Sequence, residues 1–309
     1  MTEAISKDSK VLVSVCIMAY NHEKYIAQSL DSVLMQKTNF SFEIILGEDE
    51  SRDKTREICV QYSQKYPDKI KLFLRSRLDV IYINGNPTGR YNFLENIKAA
   101  KGSYVALLDG DDYWTDSFKL QKQINFLEAN PDFVLCFHEV DVLTNQGIKG
   151  DWITKPPVED TTIVNDLIAR GNYIHTCSAV FRNINKKFPS EFFIAPVADY
   201  FLYILLTKAG GKIKQLKEKM AVYRYGVGIH SSKNRSKQLW KWNYTLFLLS
   251  SDISECRKLL EAKLAESQAV ISNDMKHRFL ESNELASVYG VKKLFTAIIA
   301  AIYKKITSF

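Results

Sequence analysis

The first half of this 309-residue chain alternates between two hydrophobic periods, and this alternation limits the folds open to it. Residues 11–18 (VLVSVCIM) form a continuous apolar run, which is typical of a strand buried on both faces. Apolar residues at helical spacing follow at Ile26, Leu30 and Val33. The same succession of strand and helix continues to about residue 137. It predicts an α/β fold with a mostly parallel sheet and helices on both faces.

The remaining elements follow from similar patterns. Further strands of the first half are predicted at residues 43–46, 70–74, 104–108 and 133–137. A polar stretch with two consecutive prolines, residues 144–162, predicts a long loop. The second half predicts a strand at 178–182, a helix from about Asp199, a hairpin over 213–225, and helices from about Trp240 to the end.

The strand predicted at 104–108 ends in three aspartates within four positions, Asp109, Asp111 and Asp112, interrupted by Gly110. Such carboxylates repel one another and lose hydration in a concave site, so we expect a cation, or a substrate that carries one, to offset their charge. Two carboxylates one residue apart are suitable ligands for Mg²⁺ or Mn²⁺. A solvated turn with one aspartate capping the next helix is the alternative.

Ligands of open parallel sheets bind beyond the carboxyl ends of the strands. This rule predicts that three polar segments share one crevice: residues 19–21, 47–51 and 109–112. The first strand is followed by AYNHEKY rather than by G-x-G-x-x-G, which argues against a dinucleotide site of the Rossmann type.

Charge is distributed unevenly along the chain. The formal net charge is +7, and residues 210–309 carry the whole positive excess, with 18 Lys and Arg against 8 Asp and Glu. Such a region suits an anionic membrane or an anionic ligand, and no motif supports nucleic-acid binding. The polar N-terminus, MTEAISKDSK, lacks the apolar core of a signal peptide and predicts a cytoplasmic protein. Five scattered cysteines predict buried, reduced thiols.

Five segments in a fixed order resemble those of family-2 glycosyltransferases with the GT-A fold: VSVCIMAYNHEKYIAQSLDSVLMQ, EIILGEDESRDKT, AKGSYVALLDGDDYW, ADYFLYILLTKAG and MAVYRYGVGIHSS. The resemblance covers about residues 11–232. We therefore expect a GT-A domain there, with a nucleotide-binding half to about residue 143 and an acceptor half after it. A disordered tail at 1–10 and a helical, basic C-terminal region at 233–309 complete the predicted organisation.

The resemblance implies a metal site at the aspartate cluster. The segment 109–111 matches the family's DxD motif, in which the last aspartate ligates Mn²⁺ or Mg²⁺ and the first lies near the ribose and the metal. These roles pass to Asp111 and Asp109, and Gly110 would let the bound diphosphate approach. His230, in GVGIHSS, matches a region that closes over the diphosphate and would add an imidazole to the metal or phosphate.

The resemblance also implies a nucleotide pocket. Ala19, Tyr20 and Asn21 match its beginning, where Tyr20 either stacks on the base or simply packs at the sheet edge. Asp49 matches the aspartate that accepts a hydrogen bond from the nucleobase, such as the uracil imide N–H. Glutamates at 48 and 50 depart from the family's Asp-Asp-Gly-Ser, and a solvated acidic loop is the alternative. Arg90 is expected either to face the nucleotide and its diphosphate or to be an exposed loop residue.

Asp199 matches the family's general base, although Ala198 departs from the Glu or Gly that usually precedes it. The alternative role is that of an N-cap or first-turn acid favoured by the helix dipole. His175 is expected to border the acceptor. The other histidines, His22, His138 and His277, are interpreted as packing or surface residues.

Together these features predict an inverting, metal-dependent transfer of a hexosyl or N-acetylhexosaminyl group. The donor would be a nucleoside diphosphate sugar, UDP-linked, and the acceptor a hydroxyl of a glycan or lipid-linked molecule, as in bacterial polysaccharide synthesis. Nucleotidyl transfer and sugar-nucleotide binding without turnover are the alternatives. The former lacks its basic glycine-rich loop after the first strand, and Asp199 counts against the latter. The oligomeric state stays open.

The basic C-terminus predicts a membrane contact. In residues 291–309, apolar residues follow helical spacing and lysines bracket an uncharged run from Leu294 to Tyr303. That run is much shorter than the ~20 residues needed to cross a bilayer. An amphipathic helix lying on an anionic membrane fits both length and charge, so the protein would be peripheral on the cytoplasmic face. Packing on the protein or on a second subunit is the alternative.

Overall fold

The computed structural model describes residues 10–83, 85–183, 187–227 and 235–281. In this part of the chain the strands are β1 (Val13–Ala19), β2 (Phe42–Glu48), β3 (Ile70–Leu74), β4 (Tyr82–Ile83), β5 (Asn86–Pro87), β6 (Tyr104–Asp109), β7 (Tyr113–Trp114), β8 (Phe133–Thr144), β9 (Gly147–Gly150), β10 (Thr161–Thr162), β11 (Val180–Arg182) and β12 (Lys212–Arg224). The α-helices are α1 (Ile26–Leu34), α2 (Thr55–Lys65), α3 (Arg90–Ala99), α4 (Lys119–Ala129), α5 (Val164–Arg170), α6 (Ser190–Ile194), α7 (Ala198–Thr207), α8 (Arg235–Asp252) and α9 (Arg257–Glu281).

The chain divides into two compact units, Met1–Lys263 and Leu264–Phe309. The first unit contains every strand named above, helices α1 to α8 and the beginning of α9. The second unit is described only along the rest of α9, so the predicted helix at 291–309 lies outside the described residues. The predicted boundary at residue 232 and most of the predicted tail at 1–10 also lie outside them.

One ten-stranded sheet dominates the described residues. Its order is β10-β12-β8-β11-β6-β1-β2-β3, with β7 paired to β12 and β9 to β8. Strands β3, β2, β1 and β6 are parallel, and so are β8 and β12. The short strand β11 lies antiparallel between β6 and β8, so both of those strands end at the same edge of the sheet. This confirms the predicted α/β fold with a mostly parallel sheet flanked by helices.

Helices cover both faces of the sheet because its central strands are apolar on both sides. Alternate residues of β1, such as Val15 and Ile17, pack with α1 residues, including Ile26 and Leu30, in one buried cluster. Cys16 points the other way, and its thiol donates to the backbone of α3. All five cysteines are buried and free, which confirms the predicted thiols.

Helix α3 lies very close to the strands it covers. The Asn92 side chain donates to the carbonyl of Gly47, and Asn96 donates to the carbonyl of Ile17, both at 2.9 Å. A Cβ at Gly47 would lie 1.9 Å from the Asn92 side-chain oxygen. Only glycine at this position therefore allows the approach of α3, which in turn fixes the end of β2 next to the candidate site.

The second half differs from the sequence-based expectation in two places. The hairpin predicted over 213–225 is wrong: β12 is a single long strand that follows β8 with irregular register near Leu216 and Lys219. The exposed KEK segment at 217–219 resembles a turn in sequence, but it lies at this irregularity. The segment 144–162, predicted as a loop, contains β9 and β10. Strand β8 extends to Thr144 and pairs antiparallel with β9, and β10 pairs with β12.

Within the described ranges, no helix has the length and apolar character needed to span a bilayer.

Candidate active site

Three chain segments meet at the carboxyl ends of the parallel strands. In the register of the sheet, Ala19 at the end of β1 faces Glu48 of β2, and Met18 faces Asp109 of β6. Two backbone hydrogen bonds extend this contact beyond the strands, from Asp49 N to the Ala19 carbonyl (3.0 Å) and from Gly110 N to the Met18 carbonyl (2.8 Å). The structure therefore brings together the three segments that the sequence predicts to share a crevice.

The aspartate cluster lies at the end of β6, where Asp109 is partly buried. Asp111 and Asp112 are 7% and 1% exposed. Burial, with the charges of Asp111 and Asp199 adding to it, raises the pKa of Asp109 to about 8. Asp199 comes from the other half of the chain, so this coupling places its carboxylate near the cluster. Nearby carboxylates repel one another when ionised, and a bound cation would reduce this repulsion.

Asp112 has a different environment from its neighbours. Its Oδ1 accepts the backbone N–H of Arg224 at 2.7 Å, which ties the cluster to β12. Burial and the charges of Asp111 and Asp109 raise the pKa of Asp112 well above its usual value. The third aspartate is therefore engaged in the fold, which leaves Asp109 and Asp111 as the pair available to a ligand.

Two side chains that the sequence did not assign to the site lie next to Asp111. Arg224 donates to the backbone carbonyl of Asp111 and to the side chain of Gln28. His22, interpreted from sequence as a packing or surface residue, has its Nε2 4.0 Å from Asp111 Oδ2. Burial lowers the pKa of His22, and the charge of Asp111 opposes this. A Cβ at Gly110 would lie 2.8 Å from His22 Nδ1, so the packing of this turn favours glycine.

Tyr20, Asp49 and Arg77 form a second cluster, where β1 and β2 end. Arg77 Nη1 pairs with Asp49 Oδ2 at 2.7 Å, and its guanidinium lies 4.3 Å from the centre of the Tyr20 ring. Asp49 is 2% exposed, and its Oδ1 has no hydrogen-bond partner in the described part of the chain. Burial raises the pKa of Asp49 to about 6, with Arg77 opposing the shift and Glu48 adding to it.

The two glutamates beside Asp49 hold its loop. Glu48 is fully buried, pairs with Arg56 and accepts the backbone N–H of Ser51 at 2.7 Å. Glu50 accepts the backbone N–H of Arg77. The two glutamates that depart from the family's pattern therefore stabilise the loop. Asp49 Oδ1 remains a hydrogen-bond acceptor without a partner among the described residues.

Asn21 fixes the turn after β1. It adopts φ 56°, a left-handed conformation that asparagine tolerates better than most residues. Its Oδ1 accepts the backbone N–H of Arg52, and its own N–H donates to Ser51 Oγ, both at 2.9 Å. Asn21 therefore joins the first polar segment to the second.

Arg90 is buried, at 5% exposure, and begins α3. It donates to the carbonyl of Ala195, and its guanidinium lies over the ring of Phe192 at 5.3 Å. Its Nε and Nη1 have no partner among the described residues. Burial lowers the pKa of Arg90 to about 10, and the charge of Asp199 opposes this. The exposed loop arginine considered from sequence is therefore wrong, because this side chain is enclosed near α7.

Asp199 is the second residue of α7. The N-cap of this helix is Val197, so Asp199 is a first-turn acid and not the cap. Its Oδ2 accepts from Asn172 Nδ2 at 2.8 Å, and its Oδ1 accepts the backbone N–H of Tyr200 at 2.8 Å. Asn172, which carries no sequence signal of its own, orients the carboxylate.

His175 Nε2 lies 3.0 Å from Asp151 Oδ2, and its ring packs on Tyr223 with ring centres 4.8 Å apart. His138 is buried in β8, and His277 lies in α9. His230 lies outside the described residues.

The residues at the crevice fit a divalent cation. No group of three or more His, Cys, Asp and Glu suited to a metal occurs in the ranges that the structure describes. Mg²⁺, however, commonly takes one or two protein carboxylates and completes its shell with substrate phosphates and water. Asp109 and Asp111 supply such a pair, one residue apart at the end of β6.

Several known proteins are similar to this chain. The profile described as Glycosyl transferase family 2 matches residues 14–188. An uncharacterized protein of Mycobacterium tuberculosis is 35% identical over 231 residues, which cover 74% of this chain and 64% of that protein. The matched region thus spans less than two thirds of the length of that relative.

Two solved structures share the fold. S. aureus TarS 1-349 in complex with UDP-GlcNAc aligns with a TM-score of 0.57 at 16% identity, over 91% of this chain and 76% of that one. Mannosyltransferase PcManGT of Pyrobaculum calidifontis, in complex with GDP-Man and Mn²⁺, aligns with a TM-score of 0.54 at 14% identity, over 98% and 89%. The profile match, over more than half of the residues, shows that the chain belongs to glycosyl transferase family 2.

Proposed function

We propose that this protein transfers a sugar from a nucleoside diphosphate sugar, UDP-linked, to a hydroxyl of a glycan or lipid-linked acceptor with inversion at the anomeric carbon. The observation that carries the proposal is the convergence of Asp49 with the pair Asp109 and Asp111 where the parallel strands end, together with the interaction between Asp109 and Asp199 of α7. Family membership favours sugar transfer over nucleotidyl transfer and over binding without turnover. We also propose that residues 11–232 form a GT-A domain and that residues 233–309 form a separate basic region.

At the nucleotide end, Asp49 Oδ1 would accept the imide N–H of uracil, and Tyr20 would stack on the base. Ala19 and Asn21 would shape the floor of this pocket. Support comes from the unengaged, buried Oδ1 of Asp49 and from the position of Tyr20 beside it. A buried acceptor without a partner is unfavourable, and a ligand donor would relieve this.

At the diphosphate, Asp109 and Asp111 would hold Mn²⁺ or Mg²⁺, and Gly110 would let the phosphates come close. The cation would offset the charge that develops on the leaving diphosphate. Arg90 Nε and Nη1, which have no partner among the described residues, would donate to the sugar nucleotide, and His230 would close over the diphosphate. The Mn²⁺ in the mannosyltransferase structure supports use of a divalent metal in this fold.

At the acceptor, Asp199 would remove the proton from the attacking hydroxyl, and no covalent enzyme intermediate is required. Its carboxylate is held by Asn172 at the start of α7, close to the aspartate cluster. His175 would border the acceptor. A single carboxylate at the acceptor would suit a direct displacement, in which the hydroxyl attacks opposite the leaving diphosphate.

Binding of the donor nucleotide tests this proposal. We expect UDP with Mn²⁺ to raise the melting temperature of the protein more than GDP, ADP or Mn²⁺ alone. A ligand at a hundredfold excess over its Kd stabilises the fold by about 2.7 kcal/mol, which is roughly 5–10 °C for a domain of this size. Equal melting temperatures with and without every nucleoside diphosphate would overturn the proposal.

The pKa of Asp49 leads to a pH-dependent prediction. Its ionised form is the better acceptor, so UDP binding should weaken as pH falls below about 6. Arg77 lowers this pKa, and Arg77→Gln should therefore move the midpoint upward by about one unit or more. Kd is measured by calorimetry from pH 5 to 8 for both proteins, so that titration of the phosphates cancels in the comparison. Coincident pH profiles would contradict the role of Arg77.

The C-terminal segment gives a separate prediction. We propose that residues 291–309 lie on an anionic membrane on its cytoplasmic side, on the basis of their lysines and apolar spacing. Deletion of residues 288–309 should abolish sedimentation with phosphatidylserine vesicles and preserve UDP binding. If the shortened protein sediments as the full chain does, this part of the proposal is wrong.

A further inference from the structure

A cavity of about 210 Å³ lies beside the candidate active site, between β8, β9, the segment 173–175 and β12. It forms where β12 leaves the regular register of β8, near Leu216 and Lys219. At ~30 Å³ per molecule of liquid water, it has room for on the order of seven waters, which is comparable to one sugar ring.

The cavity is adjacent to the proposed base and to the aspartate cluster. Tyr173 lines it and directly follows Asn172, the residue that holds Asp199. His175 also lines it and packs on Tyr223. Tyr223 precedes Arg224 in β12, and the Arg224 N–H donates to Asp112, so β12 links the cavity wall to the aspartate cluster.

The walls of the cavity combine apolar rings with a few polar groups. Phe137 and Tyr173 have ring centres 5.7 Å apart. Asp151 is held by His175 at 3.0 Å and by the backbone N–H of Ile153 at 2.8 Å, so its carboxylate is fixed at the wall. Apolar walls with a small number of placed polar groups are the usual composition of a small-molecule site.

Two further wall residues have unused hydrogen-bonding groups. Gln215 is 3% exposed, and its Nε2 has no partner within the described ranges, although its Oε1 accepts from Lys217. His138 is 2% exposed; its Nδ1 lies 2.7 Å from the Glu139 carbonyl and must donate there, which leaves Nε2 as an unpartnered acceptor. The wall thus holds both a donor and an acceptor in need of partners.

The charges at the wall argue against an anionic ligand. Lys219 pairs with Asp141 at 2.7 Å, and His175 pairs with Asp151. Glu139 also lines the cavity. A neutral molecule that carries hydroxyls, each able to donate and accept, fits this set better than a phosphate does.

An aromatic pair lies just outside the cavity. Trp152 follows Asp151 in the chain, and its ring lies 5.7 Å from that of Tyr225, at an angle of 65°. Both are large side chains left more than 40% exposed. Exposed rings beside a polar cavity extend the surface that a longer neutral glycan would contact.

We propose that this cavity binds a neutral sugar ring of the acceptor, next to the hydroxyl that Asp199 activates. Gln215 and Asp151 would hydrogen-bond the ring hydroxyls, and Trp152 and Tyr225 would contact the following unit. The assignment rests on the proposed function for the identity of the ligand as an acceptor, but the binding of a sugar can be measured without any transfer.

The test is ligand-observed NMR of the full chain with methyl glycosides of glucose, galactose, mannose and N-acetylglucosamine, together with inorganic phosphate as an anionic probe. Gln215→Leu removes the unpartnered donor at nearly constant volume. Gly150→Ile adds a side chain at a residue that lines the cavity, where a Cβ meets no atom within 4 Å. Lys149→Ile is the matched control, because neighbouring strand residues point to opposite faces.

We expect at least one glycoside to bind the wild type and Lys149→Ile equally, Gln215→Leu to bind it about tenfold more weakly, and Gly150→Ile not to bind it. The melting temperature of Gln215→Leu should equal or exceed that of the wild type, because an unpartnered buried donor has been removed; a purely structural role would lower it. Absence of glycoside binding, unchanged binding in both variants, or preferential binding of phosphate would overturn the proposal. Glycoside binding without UDP binding would contradict the proposed function and leave the sugar site standing.

Discussion

Replacing Asp199 with asparagine should lower the rate of sugar transfer by roughly 10²–10⁴, the usual contribution of a general base. The fold should persist, because Val197 and not Asp199 caps α7, and asparagine still offers an oxygen to the Tyr200 N–H. Binding of UDP with Mn²⁺ should also be unchanged. The measurement is the initial rate of UDP release with saturating donor and acceptor, alongside the melting temperature of each protein.

Asp166→Asn provides the matched control for this substitution. Asp166 is likewise a first-turn acid, in α5, and its carboxylate accepts the Ile163 N–H at 3.0 Å. Asparagine can still accept this N–H, so Asp166→Asn should cost at most about 1 kcal/mol of stability and leave turnover near the wild-type level. If Asp199→Asn retained more than about a tenth of wild-type transfer, Asp199 would be a structural helix-start acid like Asp166.

The second large effect is expected at the metal pair. Asp111→Asn should remove nearly all transfer, about a hundredfold or more, because the cation would lose one of its two protein ligands. Stability should be equal or higher, since the change relieves repulsion within a buried acidic cluster. Wild-type transfer should stop in EDTA and return with Mn²⁺ or Mg²⁺.

Asp116→Asn is the control for charge at this end of the sheet. Asp116 pairs with Lys122 at 2.8 Å in the turn before α4, so its loss should leave transfer unchanged. Full transfer by the wild type in EDTA, or by Asp111→Asn in Mn²⁺, would refute the metal assignment.

The central strands were predictable because each is a short apolar run that fits only a strand buried on both faces. The run at 11–18 and the strand that ends at Asp109 are apolar on both faces, so period, length and flanking polar residues all agree. The rule that ligands bind at the carboxyl ends of strands then brings residues 19–21, 47–51 and 109–112 together without further information.

Other features depend on contacts between distant parts of the chain, which have no local signature. Arg77 lies in a segment without hydrophobic period, and only the fold shows it against Asp49 and Tyr20. The burial of Arg90 follows from its contact with Ala195, about a hundred residues later. A solvated acidic loop is the alternative that the sequence allows for residues 48–50, yet Glu48 and Glu50 bind Arg56 and the backbone of Arg77.

The configuration of the product is the most direct test of the account. Mg²⁺, a panel of α-linked UDP-sugars and the four methyl glycosides are mixed with the protein, and the anomeric protons are followed by NMR from the first minutes. We expect the anomeric proton signal of the α-linked donor to disappear while UDP and a β-linked product appear together. An α-linked product, or a donor that stays intact in the presence of every acceptor, would contradict it.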